Sequence, residues 1–252
     1  MNSIIGRTQK NLLPERRVMN EAGVILLVDK PMGWTSFDVV GKVRALFHLS
    51  KVGHAGTLDP KATGLLIVCT GKQTKSVDQF MILDKEYVAT MTLGKTTASF
   101  DAETEVLTES DPSGVSLEAL RATLSEFVGR QLQIPPMYSA VKYGGKPLYK
   151  YARKGKTVAR DPKEIEITAI ELIAFGSPEV ELRIRCSKGT YIRSLVQDIG
   201  QRLGCGAMLS TLRRTAIGSY NVEDALSIDD LVQLDHHQRI TMKPDYDRSI
   251  PA

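Results

Sequence analysis

No apolar run in the chain approaches the roughly 20 residues that a helix needs to cross a bilayer, which excludes a helical membrane protein. Cysteine is scarce: Cys69, Cys186 and Cys205 are odd in number, far apart and set among apolar or glycine residues. That pattern suits buried thiols in a reducing cytoplasm better than a disulfide framework or a zinc site. Residues 1–22 are basic and polar without a continuous apolar segment, so they read as a flexible leader rather than a signal peptide. Internal repeats and low-complexity stretches are lacking. Gly64 and Gly71-Lys72 are too widely spaced for a phosphate-binding loop. His236 and His237 beside Asp235 are the nearest approach to a metal cluster, but they fall in a polar tail, read as 236–252. No order of Ser, His and Asp suggests a nucleophilic triad.

At 252 residues, with 42% hydrophobic and 25% charged side chains, the chain is long enough for one large soluble domain or one domain with an insertion. Its formal charge is only +4, but the distribution is uneven. Residues 129–163 hold nine of the 33 Lys and Arg and a single acid, Asp161, so the rest of the chain is slightly acidic. Four of the eight tyrosines, Tyr138, Tyr143, Tyr149 and Tyr151, lie in the same segment. Cations interleaved with aromatics suit a surface that meets RNA phosphates and unstacked bases; a solvated lysine-rich flap has the same composition.

Local patterns give a coarse fold. Residues 24–29 read as a buried strand. Thr35 and Asp38 form a capping-box pattern ahead of a helical stripe of Val39, Val43, Leu46 and Phe47. Strands are expected at 65–70, 86–94, 164–167, 180–186 and 214–220, and helices at 116–127 and 190–203. Residues 96–114 are polar, with Pro and Gly, and read as loop. Within the basic segment a hairpin is expected near 138–146 and a short helix near 148–154; Ser227 and Asp230 open a last short helix. Strands outnumber helices without regular alternation, which predicts an α+β fold with a mixed, largely antiparallel sheet.

One stretch concentrates unusual chemistry: Gly53-His-Ala-Gly-Thr-Leu-Asp59-Pro-Lys-Ala-Thr-Gly-Leu-Leu66. Glycines admit positive φ or close backbone approach, and Pro60 fixes the chain just after an ionisable carboxylate. An ordinary turn, with Asp59 capping a helical turn opened by Pro60, accounts for the same residues.

This stretch resembles the signature loop of the TruB family of tRNA pseudouridine synthases. DKPMGWTS (29–36), DKEY (84–87), IPPMYSAVKYGGKPLYKYARKG (134–155), SKGTYIRSL (187–195) and GCGAMLSTLRR (204–214) also match, in the family's order. The resemblance implies the pseudouridine synthase fold: a central sheet with flanking helices, and an inserted RNA-binding thumb at 129–163 in a catalytic domain spanning 23–235. It implies an isomerase that converts a T-arm uridine of tRNA, U55, to pseudouridine by flipping the base. The reaction needs no cofactor and no metal. Asp59 matches the catalytic aspartate, Arg193 the arginine that pairs with it, and Tyr87 the aromatic that stacks on the uracil. Tyr191 and Leu212 match pocket-lining residues, and His54 a histidine that fills the gap left by the flipped nucleotide. Lys30 and Pro31 buttress the loop, and Lys142, Lys146, Lys150, Arg153 and Lys154 are expected on the RNA backbone.

Two departures stand out. No full C-terminal RNA-binding domain of the PUA type is expected, and Ala98 stands where the family pattern has an aspartate, Asp101 matching the next acid. The expectation is a cytoplasmic monomer whose partner is tRNA. Two other readings are a tRNA-binding or tRNA-folding module with dispensable catalysis, and an RNA-guided synthase of the same family.

Overall fold

The computed structural model describes residues 4–8 and 13–241. The chain divides into two compact units, residues 1–81 with 219–252 and residues 82–218.

The first unit opens with strand β1 (Ile4–Ile5), helix α1 (Arg16–Glu21) and strand β2 (Ile25–Lys30). Helix α2 (Ser36–Leu46) carries the predicted capping box: the Asp38 amide donates to the Thr35 hydroxyl (3.1 Å) and the Thr35 amide to the Asp38 carboxylate (2.7 Å). Strands β3 (Val52–Ala55) and β4 (Thr63–Thr70) form an antiparallel hairpin around the glycine-rich loop, and α3 (Val77–Met81) follows. β2 pairs antiparallel with β4 and parallel with β1, so the pairing is mixed. Val39, Val43 and Phe47 of the helical stripe pack on Leu26, Val28, Leu66 and Val68 to make the core.

Of the residues read as a flexible leader, Ile4–Ile5 and Arg16–Glu21 are docked. β1 pairs with β2, and Met19 of α1 is fully buried. Backbone seats backbone here. A Cβ on Gly23 would lie 2.0 Å from the Thr70 carbonyl, and one on Gly71 would lie 2.6 Å from the Asn20 carbonyl. The Thr70 hydroxyl bridges the two, donating to Met19 O (2.8 Å) and accepting from Val24 N (2.9 Å). Tertiary packing, rather than local pattern, orders this segment.

In the second unit, strands β5 (Lys85–Leu93), β8 (Gly129–Gln133), β11 (Lys163–Gly176), β12 (Glu179–Cys186) and β13 (Ala207–Ile217) form an antiparallel sheet. Their order is β13-β5-β12-β11-β8. Alternate residues of β5 (Tyr87, Ala89, Met91, Leu93) and β12 (Val180, Leu182, Ile184, Cys186) are buried. Helices α4 (Leu117–Glu126) and α6 (Ile192–Arg202) pack on this unit. Gly200 lets α6 meet β13, since a Cβ there would lie 2.2 Å from the Ala207 amide.

Three expectations need correction. β13 begins at Ala207 rather than 214, because bulges at Leu209/Thr211 and Arg214/Ala216 interrupt the period-two pattern. Residues 96–114 contain a small hairpin, β6 (Lys95–Thr97) with β7 (Val106–Glu109); β7 is exposed throughout and so carries no apolar alternation. Leu117, whose helical spacing sets it on one side of α4 with Leu120 and Leu124, is exposed while those two are buried.

The excursion between β8 and β11 holds a two-residue hairpin, β9 (Lys142–Tyr143) with β10 (Lys146–Pro147), and the short helix α5 (Leu148–Ala152). The chain then returns to the first unit. Leu226 bonds to β2 at both ends, accepting from Asp29 N (2.9 Å) and donating to Leu27 O (2.8 Å). Ser227 and Asp230 make the expected reciprocal cap of helix α7 (Ile228–Thr241). α7 is tied to α1 by the ion pair Arg16–Asp235 (2.9 Å). The expected tail at 236–252 is helical as far as Thr241, and the remainder lies outside the described residues. No helix among the described residues is long and apolar enough to cross a membrane.

Candidate active site

Within the first unit, the stretch 29–36 builds the seat of the loop that carries Asp59. Lys30 is fully buried, and its ammonium donates to three carbonyls: Trp34 (2.6 Å), Pro31 (3.0 Å) and Pro60 (3.4 Å). Gly33 N also donates to Pro60 O (2.8 Å). On the other side of the aspartate, the Ser36 hydroxyl accepts from Leu58 N (2.9 Å) and donates to Leu58 O (3.3 Å). Both neighbours of Asp59 in sequence are therefore fixed by buried polar contacts, and Ala62 N closes a turn onto Asp59 O (3.0 Å). The half-buried carboxylate sits on a backbone held from both flanks. Of the two residues expected to buttress the loop, Lys30 reaches it through Pro60 O, and Pro31 supplies another of the carbonyls that hold the Lys30 ammonium. Ser36 was not singled out, although it closes the DKPMGWTS stretch. His54 lies on β3, two residues before the loop, with its ring edge-on to Phe37 at 5.3 Å.

Within the second unit, Tyr87 lies on the buried face of β5, opposite Ile184 of β12 and Arg214 of β13. Lys85, two residues earlier on the same face, is buried too. Burial, with the Arg214 guanidinium second, pulls its ammonium down to about 8. Burial pushes the Cys186 thiol up to about 12, which makes it an inert packing group rather than a nucleophile.

Arg193 occupies the first turn of α6 and is 3% exposed. Its two terminal nitrogens donate to Ser99 O (3.1 Å) and Tyr138 O (2.8 Å), and its Nε lies 3.6 Å from the Asp101 carboxylate. Asp101 is itself buried and accepts from the Ser99 hydroxyl (2.6 Å) and Glu103 N (2.9 Å). With Ala98 in the neighbouring position, Asp101 is the acid of that loop that meets the arginine.

Tyr191 caps the start of α6, and Leu212 is half-buried on β13, opposite Ala89. Gln133, which no motif marks, is buried beside Tyr191. Its contact spans 58 positions, which no local pattern encodes. Thus Tyr87, Tyr191, Arg193 and Leu212 belong to one unit, and Lys30, Pro31, His54 and Asp59 to the other.

Lys142, Lys146, Lys150, Arg153 and Lys154 are all exposed on the β9–β10 hairpin and around α5. Leu148 anchors this region by burial, and Leu148 N donates to Val141 O (2.8 Å). The tyrosines brace one another: Tyr143 and Tyr151 stack edge to face at 5.9 Å, and Tyr151 OH donates to Tyr143 O (3.2 Å). Arg153 lies over the Tyr149 ring and 3.8 Å from Glu103.

A sequence profile for the N-terminal domain of the TruB family pseudouridylate synthases matches residues 44–192. One for the C-terminal domain of tRNA pseudouridylate synthase B matches residues 193–247. A protein of Desulfotalea psychrophila called tRNA pseudouridine synthase B is 49% identical over 225 residues, 87% of this chain and 92% of that one. One of the same name from Opitutus terrae is 49% identical over 205 residues, 81% and 85% of the two chains. Among solved structures, a chain of a Cbf5-Nop10-Gar1 complex superposes with a TM-score of 0.68 at 32% identity, and one of an archaeal box H/ACA sRNP Nop10-Cbf5 complex with 0.65 at 29%. Each match covers 88% of this chain but 57% of the solved one, so the chain spans little more than half the length of those proteins.

Proposed function

The chain belongs to the TruB family of pseudouridylate synthases, and from that premise we propose that it isomerises one uridine of tRNA, U55 in the T-arm loop, to pseudouridine. The reaction breaks the C1′–N1 bond, turns the uracil and joins C1′ to C5, so atoms and electrons balance within one nucleotide. Every route needs a carboxylate near the sugar, a platform for the loosened base and a cation that keeps the carboxylate ionised. Asp59 is the carboxylate, Tyr87 the platform and Arg193 the cation; Tyr191 and Leu212 line the uracil pocket, and His54 fills the space of the flipped nucleotide. Lys142, Lys146, Lys150, Arg153 and Lys154 meet the phosphates. The enzyme works as a cytoplasmic monomer without cofactor or metal.

The observation that carries this reading is the seat of Asp59. A loop whose flanking residues, Leu58 and Pro60, are both tied down by buried side chains is built to aim one side chain, which a plain surface turn does not require. A binding module has no use for such a seat.

The likeness to Cbf5, a chain of H/ACA complexes, favours a second reading: synthesis directed by a guide RNA. Identity is 29–32% in that direction against 49% toward proteins named for tRNA, which favours the first. Incubating the protein with unmodified tRNA transcript, without any guide, and mapping pseudouridine separates the two. Pseudouridine at the T-loop uridine is the expected result. No product, or product elsewhere, overturns the proposal.

A further inference from the structure

The RNA-facing excursion leaves the sheet after Gln133 and returns at Lys163, and these two residues are register partners on β8 and β11. At that point the strand is fastened to the first turn of α6. Gln133 is 4% exposed; its Nε2 donates to Tyr191 O (3.0 Å) and its Oε1 accepts from Tyr191 N (2.8 Å). The next residues continue the attachment. Ile134 O accepts from the Ser194 hydroxyl (3.2 Å), and Tyr138 O accepts from Arg193 (2.8 Å). These hydrogen bonds join residues 133–138 to residues 191–194. Tyr191 makes no side-chain cap for α6. The direction in which this turn enters the helix is therefore set from outside by Gln133, whose amide matches the backbone of Tyr191 as one peptide group matches another.

We propose that Gln133 is a positioning residue for the reaction: its amide fixes the backbone of Tyr191, and through that turn the aim of Arg193, to the strand from which the RNA-gripping excursion emerges. This rests on the isomerase reading above. Gln133 touches neither base nor sugar. It makes the geometry of the turn and the seating of the excursion one mechanical unit, so RNA held by the excursion is held in register with the arginine. A side chain that serves only to fill space predicts no dependence on donor and acceptor chemistry.

The test uses Gln133→Leu and Gln133→Glu in the full chain, with unmodified tRNA transcript. Single-turnover rates with enzyme in excess are compared with equilibrium binding of the same RNA. The Leu variant keeps most of the volume and loses both hydrogen bonds. Its rate is expected to fall at least about tenfold, with affinity within about threefold. The Glu variant adds a diagnostic. An ionised carboxylate accepts from Tyr191 N–H but repels Tyr191 C=O. A protonated one restores both bonds, and burial raises the pH at which it protonates. The rate of the Glu variant relative to wild type is therefore expected to rise at least threefold between pH 8 and pH 5.5, while the Leu ratio stays flat. Thermal melts at each pH check the folded fraction. The inference is overturned if the Leu variant reacts within twofold of wild type, if the Glu ratio is flat with pH, if the loss lies in affinity alone, or if it follows unfolding. A wild-type protein that forms no pseudouridine is a different outcome, and overturns the isomerase reading instead.

Discussion

The loop that carries Asp59 and the excursion from Gln133 to Lys163 are both punctuated by glycine and proline, yet they are held in opposite ways. The loop is short, and the side chains that fix it, Lys30 and Ser36, are fully buried. The excursion is fixed at its root by Gln133 and along its length by buried Leu148, while Lys142, Lys146, Lys150, Arg153 and Lys154 stand in water. Buried polar contacts hold an atom to a fraction of an ångström. Exposed cations attract phosphate over a long range without fixing it. The first region is therefore suited to chemistry and the second to grip. Changes in the loop should appear in the rate of the chemical step, and changes in the excursion in RNA affinity and its salt dependence.

The largest effect is expected from Asp59→Asn. If the loop exists to aim one carboxylate, the variant loses at least about 1,000-fold in single-turnover rate and still binds tRNA nearly as well as wild type. A residual rate of one tenth would remove Asp59 from its role. A parallel loss of affinity would break the separation between the two regions.

Lys30→Met comes next. The change removes a donor shared by three carbonyls. Removing a buried charged donor of this kind costs about 2–4 kcal/mol of stability, measured by denaturant unfolding. Displacing the loop by about 1 Å lowers the rate by about 100-fold. A variant as stable as wild type would mean that Lys30 does not support the loop.

Much of this contrast is legible in the sequence where the physics is local. Thr35 with Asp38, and Ser227 with Asp230, announce caps three residues apart, and both caps form. The stripe of Val39, Val43 and Phe47 faces the core as its spacing requires. The charge of the excursion is visible by counting. Contacts between distant residues are not legible. Gln133 and Tyr191 are 58 positions apart, and Arg193 and Ser99 are 94 apart. Neither pair is marked by any local pattern. The docking of α1 turns on the backbone fit at Gly23 and Gly71, which in sequence look like any two turn glycines. The stretch DKPMGWTS is recognisable as a motif, but its purpose emerges only when Lys30 and Ser36 are seen on either side of Asp59.

A third change sharpens the comparison from the other side. Replacing Lys142, Lys146 and Lys150 together by Gln removes three exposed cations from the excursion. For every phosphate that no longer meets a cation, log K falls less steeply with log salt by about 0.7–0.9, so the slope should ease by about two to three units. The single-turnover rate at saturating enzyme should change less than about threefold, because these side chains stand in water on the hairpin and α5 rather than in the seat of Asp59 or the turn of Arg193. An unchanged salt slope would show that RNA does not run along this hairpin.

The smallest effect belongs to an ion pair that joins the excursion to the loop of Asp101. Arg153 and Glu103 are 3.8 Å apart, with side chains 66% and 36% exposed. Water screens such a pair, and holding two long side chains in one geometry costs entropy. Exposed pairs of this kind contribute about 0–1 kcal/mol. Arg153 also lies over Tyr149, a second contact that survives when Glu103 is changed. Glu103 N, which reaches Asp101, is main chain and survives as well. Glu103→Gln should therefore shift stability by less than about 1 kcal/mol and leave the single-turnover rate within twofold of wild type. RNA affinity should rise slightly, by less than about fivefold, because a negative charge is removed beside Arg153, one of the cations proposed to meet the phosphates. A rate loss of tenfold or more would mean that this exposed contact carries the geometry of Asp101 and Arg193. The division between a region that aims and a region that grips would then fail at the point where the ion pair joins the excursion to the loop of Asp101.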